Sequence, residues 1–359
     1  MVVFKRLMAF AGIAVLGLAL AACSRTITRV EQVTAGPQTC FECHSDTSTF
    51  LVAATQQWEN SRHASGETLN EKDGECKNCH TSEGFLAVAS GTTIPDVVEN
   101  PTSIHCFTCH APHTNGDFST RATSVAQKTL MNGVTYDLRG GNICLACHRS
   151  RRDVRTYVAD AARPKAMSNR FGPHHGPQGD MLIGSNGYEF AGYTYTQSTH
   201  RSVTEDGCLD CHFKTTLQNR VGGHSFNMVW GEDEILNTAA CERCHGAVED
   251  FSEVRAGTPF CQDSVAALAA DLRTRLLTAK LITVADGLAT PAKEMASVDS
   301  CGAVYNLMLY QEDRSGGVHN PKYISGLLKS AIAYMSRTPS PGMTAAHVQR
   351  AMSDPRGRR

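Results

Sequence analysis

The sequence predicts a mainly α-helical protein with extensive loops, few or no strands and a helical cap at its C-terminal end. Three observations support this fold class. The 30 glycines and 13 prolines favour loops. The pattern Cys-x-x-Cys-His recurs six times between residues 40 and 245, and each copy needs a helical turn to present both thiols on one side. After about residue 260, apolar residues recur at helical spacing.

Residues 1–22 have the features of a secretory signal peptide. Lys5 and Arg6 form a short positive region, and Leu7 to Ala22 is an uncharged apolar run. The run is shorter than a typical bilayer-spanning helix. We therefore exclude these residues from the fold and expect the mature chain to be exported.

The signal peptide ends in a sequence that resembles a bacterial lipobox, Leu20-Ala21-Ala22-Cys23. The small residues would admit the peptidase, and the Cys23 thiol would carry the lipid, which anchors a protein without spanning the membrane. Plain cleavage after Ala19 to Ala21 is the alternative. Ser24 differs from the Asp that retains bacterial lipoproteins at the inner membrane, so we expect the outer membrane, facing the periplasm or the cell surface. Residues 23–38 would form the lipidated N-terminus and a linker.

The charge pattern does not favour nucleic-acid binding. The whole chain has 34 basic and 35 acidic residues, and the signal peptide removes two basic residues. Basic residues cluster only at 149–155 and at the C-terminal end. We expect these clusters to be solvated or to face acidic groups of a cofactor.

Twelve of the 15 cysteines form six Cys-x-x-Cys pairs, and every pair is followed by histidine. Zinc sites and redox-active dithiols also use Cys-x-x-Cys, but neither requires that histidine. The full pattern is the attachment signature of c-type haem, in which both thiols form thioethers and the histidine becomes the proximal iron ligand. The six motifs are Cys40, Cys43 and His44; Cys76, Cys79 and His80; Cys106, Cys109 and His110; Cys144, Cys147 and His148; Cys208, Cys211 and His212; and Cys241, Cys244 and His245.

With six such motifs in an exported chain, the region from Cys40 to His245 resembles the multihaem c-type cytochromes. The resemblance implies that residues 39–258 wrap six haem c groups. Aromatic residues make up only 7% of the chain, and the mean hydropathy is −0.25. The macrocycles would therefore supply the core that large side chains supply elsewhere.

The sixth coordination position of each iron decides between electron transfer and catalysis. Nine histidines lie outside the motifs, so enough imidazoles exist to close six irons. Methionine is the competing ligand, but we assign Met131, Met167, Met181 and Met228 to packing. Our distal candidates are His63, His113, His174, His175, His200, His224 and His319, with His105 less favoured and His347 expected at the surface.

Sequence context supports several of these candidates. His63 lies in Trp-x-x-Ser-x-His, and His113 lies in Cys-His-x-Pro-His, both of which resemble ligand segments of multihaem cytochromes. His319 lies in "GVHNPKY", which is similar to the C-terminal ligand segment of multihaem nitrite and hydroxylamine enzymes. Of the neighbours His174 and His175, we favour His175.

Residues 259–338 are predicted to form the helical cap. Asp263 or Ser264 would begin a helix with Val265, Leu268, Leu272 and Leu276 on one face. A second apolar run covers Val304 to Leu309. A third helix would begin at Asn320 and Pro321, with Tyr323, Ile324, Leu327, Leu328 and Ala331 on one face.

Two cysteines of the cap belong to no motif. An exported chain is allowed a disulfide, so Cys261 and Cys301 are expected to join the first two helices of the cap. Free buried thiols are the alternative. Residues 339–359 are expected to form a polar and basic tail.

The resemblance implies an electron carrier rather than an enzyme. Six haems, mostly ligated by two histidines, would pass electrons from periplasmic or quinol-linked donors to another cytochrome or a terminal acceptor. The first alternative is a reductase or oxidase of small nitrogen or sulfur compounds with one open iron, although the Cys-x-x-Cys-Lys motif of pentahaem nitrite reductases is absent from the sequence. The second alternative is a self-associating subunit of an extracellular cytochrome conduit or filament.

Overall fold

The computed structural model describes residues 48–337, with gaps at 67–68, 122–127, 161–169, 217–218, 232–234 and 296. Contacts divide the chain into two units, residues 1–39 and residues 40–359, and all described residues belong to the second. The signal sequence, Cys23, the first motif and His347 lie outside the described residues.

The described chain is mainly α-helical with long loops, as predicted. The helices at the motifs have 4 to 7 residues, whereas the three long helices after residue 260 have 16 or 17. The helices are α1 (Thr49–Glu59), α2 (Arg62–Ser65), α3 (Lys77–His80), α4 (Ser82–Ser90), α5 (Cys106–Cys109), α6 (Pro112–Asn115), α7 (Asn142–Leu145), α8 (Val154–Ala159), α9 (Gln178–Ile183), α10 (His200–Val203), α11 (Cys208–His212), α12 (Ala239–His245), α13 (Gln262–Thr278), α14 (Val298–Asp313) and α15 (Pro321–Arg337). Among the described residues, no helix is both long and apolar enough to cross a membrane.

Each described motif forms a helical turn. In three of them the amide of the motif histidine donates to the carbonyl of the first cysteine, at 3.1 Å for His80, 2.9 Å for His110 and 2.8 Å for His148. This bond closes one turn of helix and brings the two thiols to one side of the backbone.

Three short 3-10 helices (Arg139–Gly141, Gly223–Ser225 and Phe251–Glu253) and two small antiparallel hairpins complete the described secondary structure. Strands β1 (Val229–Trp230) and β2 (Ile235–Leu236) form one, and β3 (Ile282–Ala285) and β4 (Leu288–Pro291) form the other. Asp286 and Gly287 join β3 to β4, and both have positive φ, 50° and 78°. Asp-Gly is a favoured sequence for this two-residue turn.

The main side-chain core lies in the C-terminal cap. The largest buried apolar cluster gathers residues of α8, α9 and α13 to α15, whereas the clusters between the motifs are small. Val265, Leu272 and Leu276 of α13 are fully buried, and Leu268 packs against the same cluster. All five predicted apolar residues of α15 are buried.

The start of α13 corrects the sequence prediction. The helix begins at Gln262 after Cys261, not after Asp263 or Ser264. The Ser264 hydroxyl instead donates to the carbonyl of Thr258, so it tethers the preceding turn. The predicted start of α15 is confirmed, since Asn320 Oδ1 accepts from the amide of Tyr323 at 3.2 Å.

The loop around Tyr188 is fixed to α14. Asn306 accepts from the amide of Tyr188 at 2.8 Å and donates to its carbonyl at 2.9 Å, and the Tyr188 hydroxyl donates to Asp299 at 2.6 Å. Gly302 allows this contact, because a Cβ there would lie 2.0 Å from the Tyr188 ring. The cap therefore holds part of the long segment between the fourth and fifth motifs.

Candidate functional site

Each motif histidine in the described part of the chain faces a histidine from outside the motifs. The centroid distances and interplanar angles are 6.2 Å and 58° for His63 and His148, 6.4 Å and 78° for His80 and His174, 6.2 Å and 46° for His110 and His224, 6.2 Å and 89° for His200 and His245, and 6.2 Å and 39° for His212 and His319.

These distances suit an iron held between two imidazoles. Two metal–nitrogen bonds of about 2 Å and two ring half-widths of about 1 Å put the ring centres about 6 Å apart. The separation is nearly constant, 6.2 to 6.4 Å, while the interplanar angle varies from 39° to 89°. A linking atom would fix the distance and leave the rings free to rotate about their bonds. The five pairs therefore fit haem irons.

The hydrogen bonds of the Nδ1 atoms, called here the outer ring nitrogens, show which nitrogen of each imidazole could bind a metal. The Nδ1 atoms of His200 and His212 lie 2.7 Å from the Val318 carbonyl and 2.8 Å from the Phe226 carbonyl. A carbonyl only accepts, so Nδ1 carries the proton in both rings. The lone pair is then on Nε2, as a metal ligand requires.

Gln178 gives His148 the same tautomer. Its Nε2 atom donates to the carbonyls of Glu312 at 3.2 Å and Asp313 at 3.3 Å, so its Oε1 atom is the acceptor. That oxygen lies 3.1 Å from His148 Nδ1. The His148 ring is thus oriented by a side chain that the end of α14 holds in place.

His319 has a charged partner instead. Its Nδ1 atom lies 2.7 Å from Asp313 Oδ1, and the Asp313 side chain is only 1% exposed. Burial lowers the pKa of His319, but the Asp313 carboxylate and its hydrogen bond outweigh burial, so the pKa is raised. The sequence did not reveal Asp313 and Gln178, because no motif marks a residue that orients a histidine without binding the metal itself.

Burial favours the neutral form of seven other paired rings. It lowers the pKa of His63 to about 4, with a smaller contribution from His148. It also lowers the pKa of His174 to about 4, with Arg151 as the second cause. Burial is likewise the largest cause that lowers the pKa of five other paired histidines, namely His80, His148, His200, His212 and His224. Neutral imidazole is the form that binds metals.

The neighbours His174 and His175 have different surroundings. His174 has positive φ, 69°, and its ring faces His80. His175, which the sequence analysis favoured, is 69% exposed and its Nδ1 atom contacts Glu312. The geometry therefore favours His174 as the partner of the second motif.

His105 serves a structural purpose in the described chain. Its Nδ1 atom accepts from the amide of Phe107 at 3.2 Å, and Thr108 Oγ1 accepts from the His105 amide at 2.9 Å. Together these bonds cap the start of α5. His113 lies in α6, three residues after the motif histidine His110.

The fourth motif lies beside two others. Cys147 and Cys79 lie close enough to change the pKa of each other's thiol, and so do Cys144 and Cys208. These contacts bring the second and fifth motifs close to the fourth. Cys211 and Cys241 are close enough that Cys241 contributes to the raised pKa of Cys211, after burial, which relates the fifth motif to the sixth.

In the structure Cys261 and Cys301 are buried thiols and do not form the predicted disulfide. Cys301 belongs to the apolar cluster of the cap, whereas Cys261 precedes α13 and its thiol lies 3.3 Å from Ser264 Oγ. The two side chains thus have separate surroundings.

Comparison with curated proteins finds sequence similarity to C-type polyheme cytochromes. No family model matches the sequence. The chain is 22% identical over 335 residues to the C-type polyheme cytochrome OmcC of Geobacter sulfurreducens, with 73% of this chain and 43% of the relative covered. It is 23% identical over 337 residues to the C-type polyheme cytochrome OmcB of the same species, with 73% and 44% covered.

One solved structure is similar, the outer cell wall cytochrome OcwA. The TM-score is 0.49 at 22% identity, and the match covers 78% of this chain and 49% of that one. The chain thus spans less than half the length of the curated relatives it matches.

Proposed function

We propose that this chain, a multihaem c-type cytochrome, transfers electrons through six covalently bound haem c groups. The observation that carries the proposal is the set of five facing histidine pairs at 6.2 to 6.4 Å. When bound, a haem ligated by two imidazoles supplies a one-electron couple with no coordination position for a substrate.

The proposed ligands follow from the pairs. The motif cysteines hold the macrocycles, and each motif histidine is the proximal ligand. The distal ligands are His174 for the second motif, His224 for the third, His63 for the fourth, His319 for the fifth and His200 for the sixth.

The first motif lies outside the described residues, so its ligand is assigned from what is left. His113 is our proposal for the partner of His44, because the other favoured candidates face other motifs or, for His175, a carboxylate. His105 is a weaker choice, since its Nδ1 atom already accepts a backbone amide.

The contacts among four of the described motifs support a path for electrons between their haems. The second and fifth motifs adjoin the fourth, and the sixth is near the fifth. The protein's part in this function is to set spacing, ligation and burial, because these determine potential and rate.

The alternative function is a reductase or oxidase with one open iron. In the described part of the chain, each of the five motif histidines faces a second histidine. An open iron would therefore have to belong to the first motif, which limits this alternative to one site.

We also propose that the mature protein is exported and anchored to the outer membrane by a lipid on Cys23. The lipobox-like sequence supports this anchor. The expected partners are other cytochromes or quinol-linked oxidoreductases. Self-association into a conduit is the structural alternative, and the mass of the purified holoprotein tests it.

The deciding experiment counts haems and their spin states in the purified holoprotein. A haem assay per polypeptide should give six haems, and electron paramagnetic resonance should give only low-spin ferric signals. Addition of nitrite, hydroxylamine or sulfite should leave the spectrum unchanged. A high-spin haem that binds one of these compounds would favour the enzyme alternative, and fewer than six haems would contradict the proposal.

A further inference from the structure

We infer that Asp313 is a positioning residue that gives the haem of the fifth motif the most negative reduction potential among the five centres with described ligand pairs. The inference rests on the proposed function, because it requires His319 to ligate that haem. It goes beyond that function by assigning an energetic order within the path.

The Asp313 carboxylate is built into the site. Its Oδ1 atom accepts from His319 Nδ1 at 2.7 Å, and its other oxygen contacts the Ser315 hydroxyl. Ser315 Oγ in turn accepts from the amides of Gly317 at 3.1 Å and His319 at 3.4 Å. The turn between α14 and α15 therefore fixes the carboxylate and the imidazole relative to each other.

The other outer ring nitrogens with a hydrogen bond have neutral partners. His148 is held by an amide oxygen of Gln178, His200 by the carbonyl of Val318, and His212 by the carbonyl of Phe226. Among the hydrogen-bonded histidines of the described pairs, His319 therefore differs from the others, because its Nδ1 atom has a carboxylate as its partner.

A carboxylate in this position strengthens the ligand. It draws the Nδ1 proton towards itself and raises the basicity of Nε2, the atom that would bind iron. A more basic imidazole and a nearby negative charge both stabilise ferric relative to ferrous iron. Because the Asp313 side chain is 1% exposed, water screens this charge little.

The proposed order of reduction potentials affects how electrons would move from haem to haem. The fifth motif lies between the fourth, through Cys144 and Cys208, and the sixth, through Cys211 and Cys241. A haem that is hardest to reduce at this place would hold electrons only briefly. Electrons would then reside on the haems to either side of it.

The test is Asp313→Asn, which keeps the size and an acceptor oxygen but removes the charge. Potentiometric titration of the holoprotein should show the most negative component shifted to more positive potential. We expect about a tenfold change in the equilibrium constant for reduction, which is about 59 mV for a one-electron couple. Unchanged potentials in a low-spin, fully loaded variant would overturn the inference.

Asp299→Asn is the matched control. Asp299 lies in the same helix and accepts a hydrogen bond from Tyr188, away from the facing histidines. This variant should change the equilibrium constant for reduction of each haem by less than twofold. An equal shift in both variants would assign the effect to α14 as a whole and contradict a specific role for Asp313.

Ser315→Ala provides a second measurement in case Asp313→Asn does not fold. It removes a donor from the carboxylate, so the same component should become more negative. A positive shift or no shift would contradict the inference.

His319→Ala separates this inference from the proposed function. If His319→Ala leaves every haem low-spin, the ligand assignment fails. If it opens one haem while Asp313→Asn shifts nothing, only the role of Asp313 fails.

Discussion

The rings of His174 and His80 face each other at 6.4 Å, while the next residue, His175, turns its Nδ1 atom to Glu312. The two adjacent histidines therefore have different partners. In the proposed ligation His174 is the distal ligand of the second motif, whereas His175 contacts a carboxylate at the end of α14.

This division predicts different outcomes for two neighbouring substitutions. His174→Ala should convert one haem to high-spin, because Glu312 holds the adjacent imidazole of His175 away from the lost ligand's position. His175→Ala should leave all haems low-spin. Electron paramagnetic resonance of the two ferric proteins measures the difference, and a high-spin signal only in His175→Ala would reverse the assignment.

His63→Ala should open the haem of the fourth motif. Because this motif adjoins the second and fifth, the same variant should also slow electron passage through the whole chain. The spin state and the rate of reduction by a small donor are the measurements. His105→Ala is the control and should keep every haem low-spin, since His105 caps α5.

The sequence was sufficient to predict the six motifs and a surplus of histidines outside them. It did not predict which of those histidines faces which motif histidine. Nothing in the segment around His63 indicates that it faces His148 rather than the next motif along the chain. The pairing depends on tertiary contacts, and His110 with His224 is a second example. The choice between His174 and His175 depended on Glu312, a distant residue that periodicity does not reveal.

The cap was more predictable because amphipathic spacing marks its helices. The β3–β4 hairpin was not foreseen at its position, although Asp286-Gly287 was an available turn signal. The start of α13 was misplaced because Asp263 and Ser264 are good N-cap types, whereas the structure begins the helix after Cys261.

Gly302→Ala should destabilise the cap. The new methyl group would lie 2.0 Å from the Tyr188 ring, whose hydroxyl and backbone are both hydrogen-bonded to α14, so the ring has little freedom to move. We expect a loss of about 1–3 kcal/mol, as for other overpacked cores. Denaturant unfolding followed by circular dichroism measures it.

Gly326→Ala is the matched control for this substitution. Its Cβ would lie 3.2 Å from the Tyr195 ring, a much milder contact within another cap helix. A loss in Gly302→Ala no larger than that in Gly326→Ala would contradict the packing argument.

Asp137 should contribute a pH-dependent part of the stability. Hydrogen bonds from Asn142, Lys128 and the Arg139 amide lower its pKa from 3.8 to about 2. A lowered acid pKa stabilises the folded state above the unfolded value, and this contribution is lost as the pH falls through the folded value. The wild type should therefore exceed Asp137→Asn in stability above about pH 4, and the difference should vanish towards pH 2.

Urea midpoints of both proteins across this range check the prediction. Using the difference between the two proteins removes the titration of groups that they share. A difference that grows on acidification would contradict the sign of the pKa shift.

Cys23→Ser should release the protein from the membrane if Cys23 carries the proposed lipid. Fractionation of cells followed by haem staining measures the distribution. Cys261→Ser is the control, because Cys261 is a buried thiol of the cap and should leave anchoring unchanged. Equal membrane retention in both variants would exclude a lipid anchor at Cys23.

The position of His319 beyond α14 has a consequence for assembly. A chain that leaves the membrane N-terminus first presents His212 well before its proposed partner. Until the last segment arrives, the iron of the fifth motif would be exposed to solvent, and a protein truncated before residue 319 would keep it so. In the proposed ligation, the C-terminal cap therefore completes the coordination of the fifth haem. A polypeptide that lacked it would carry an iron open to small reactants.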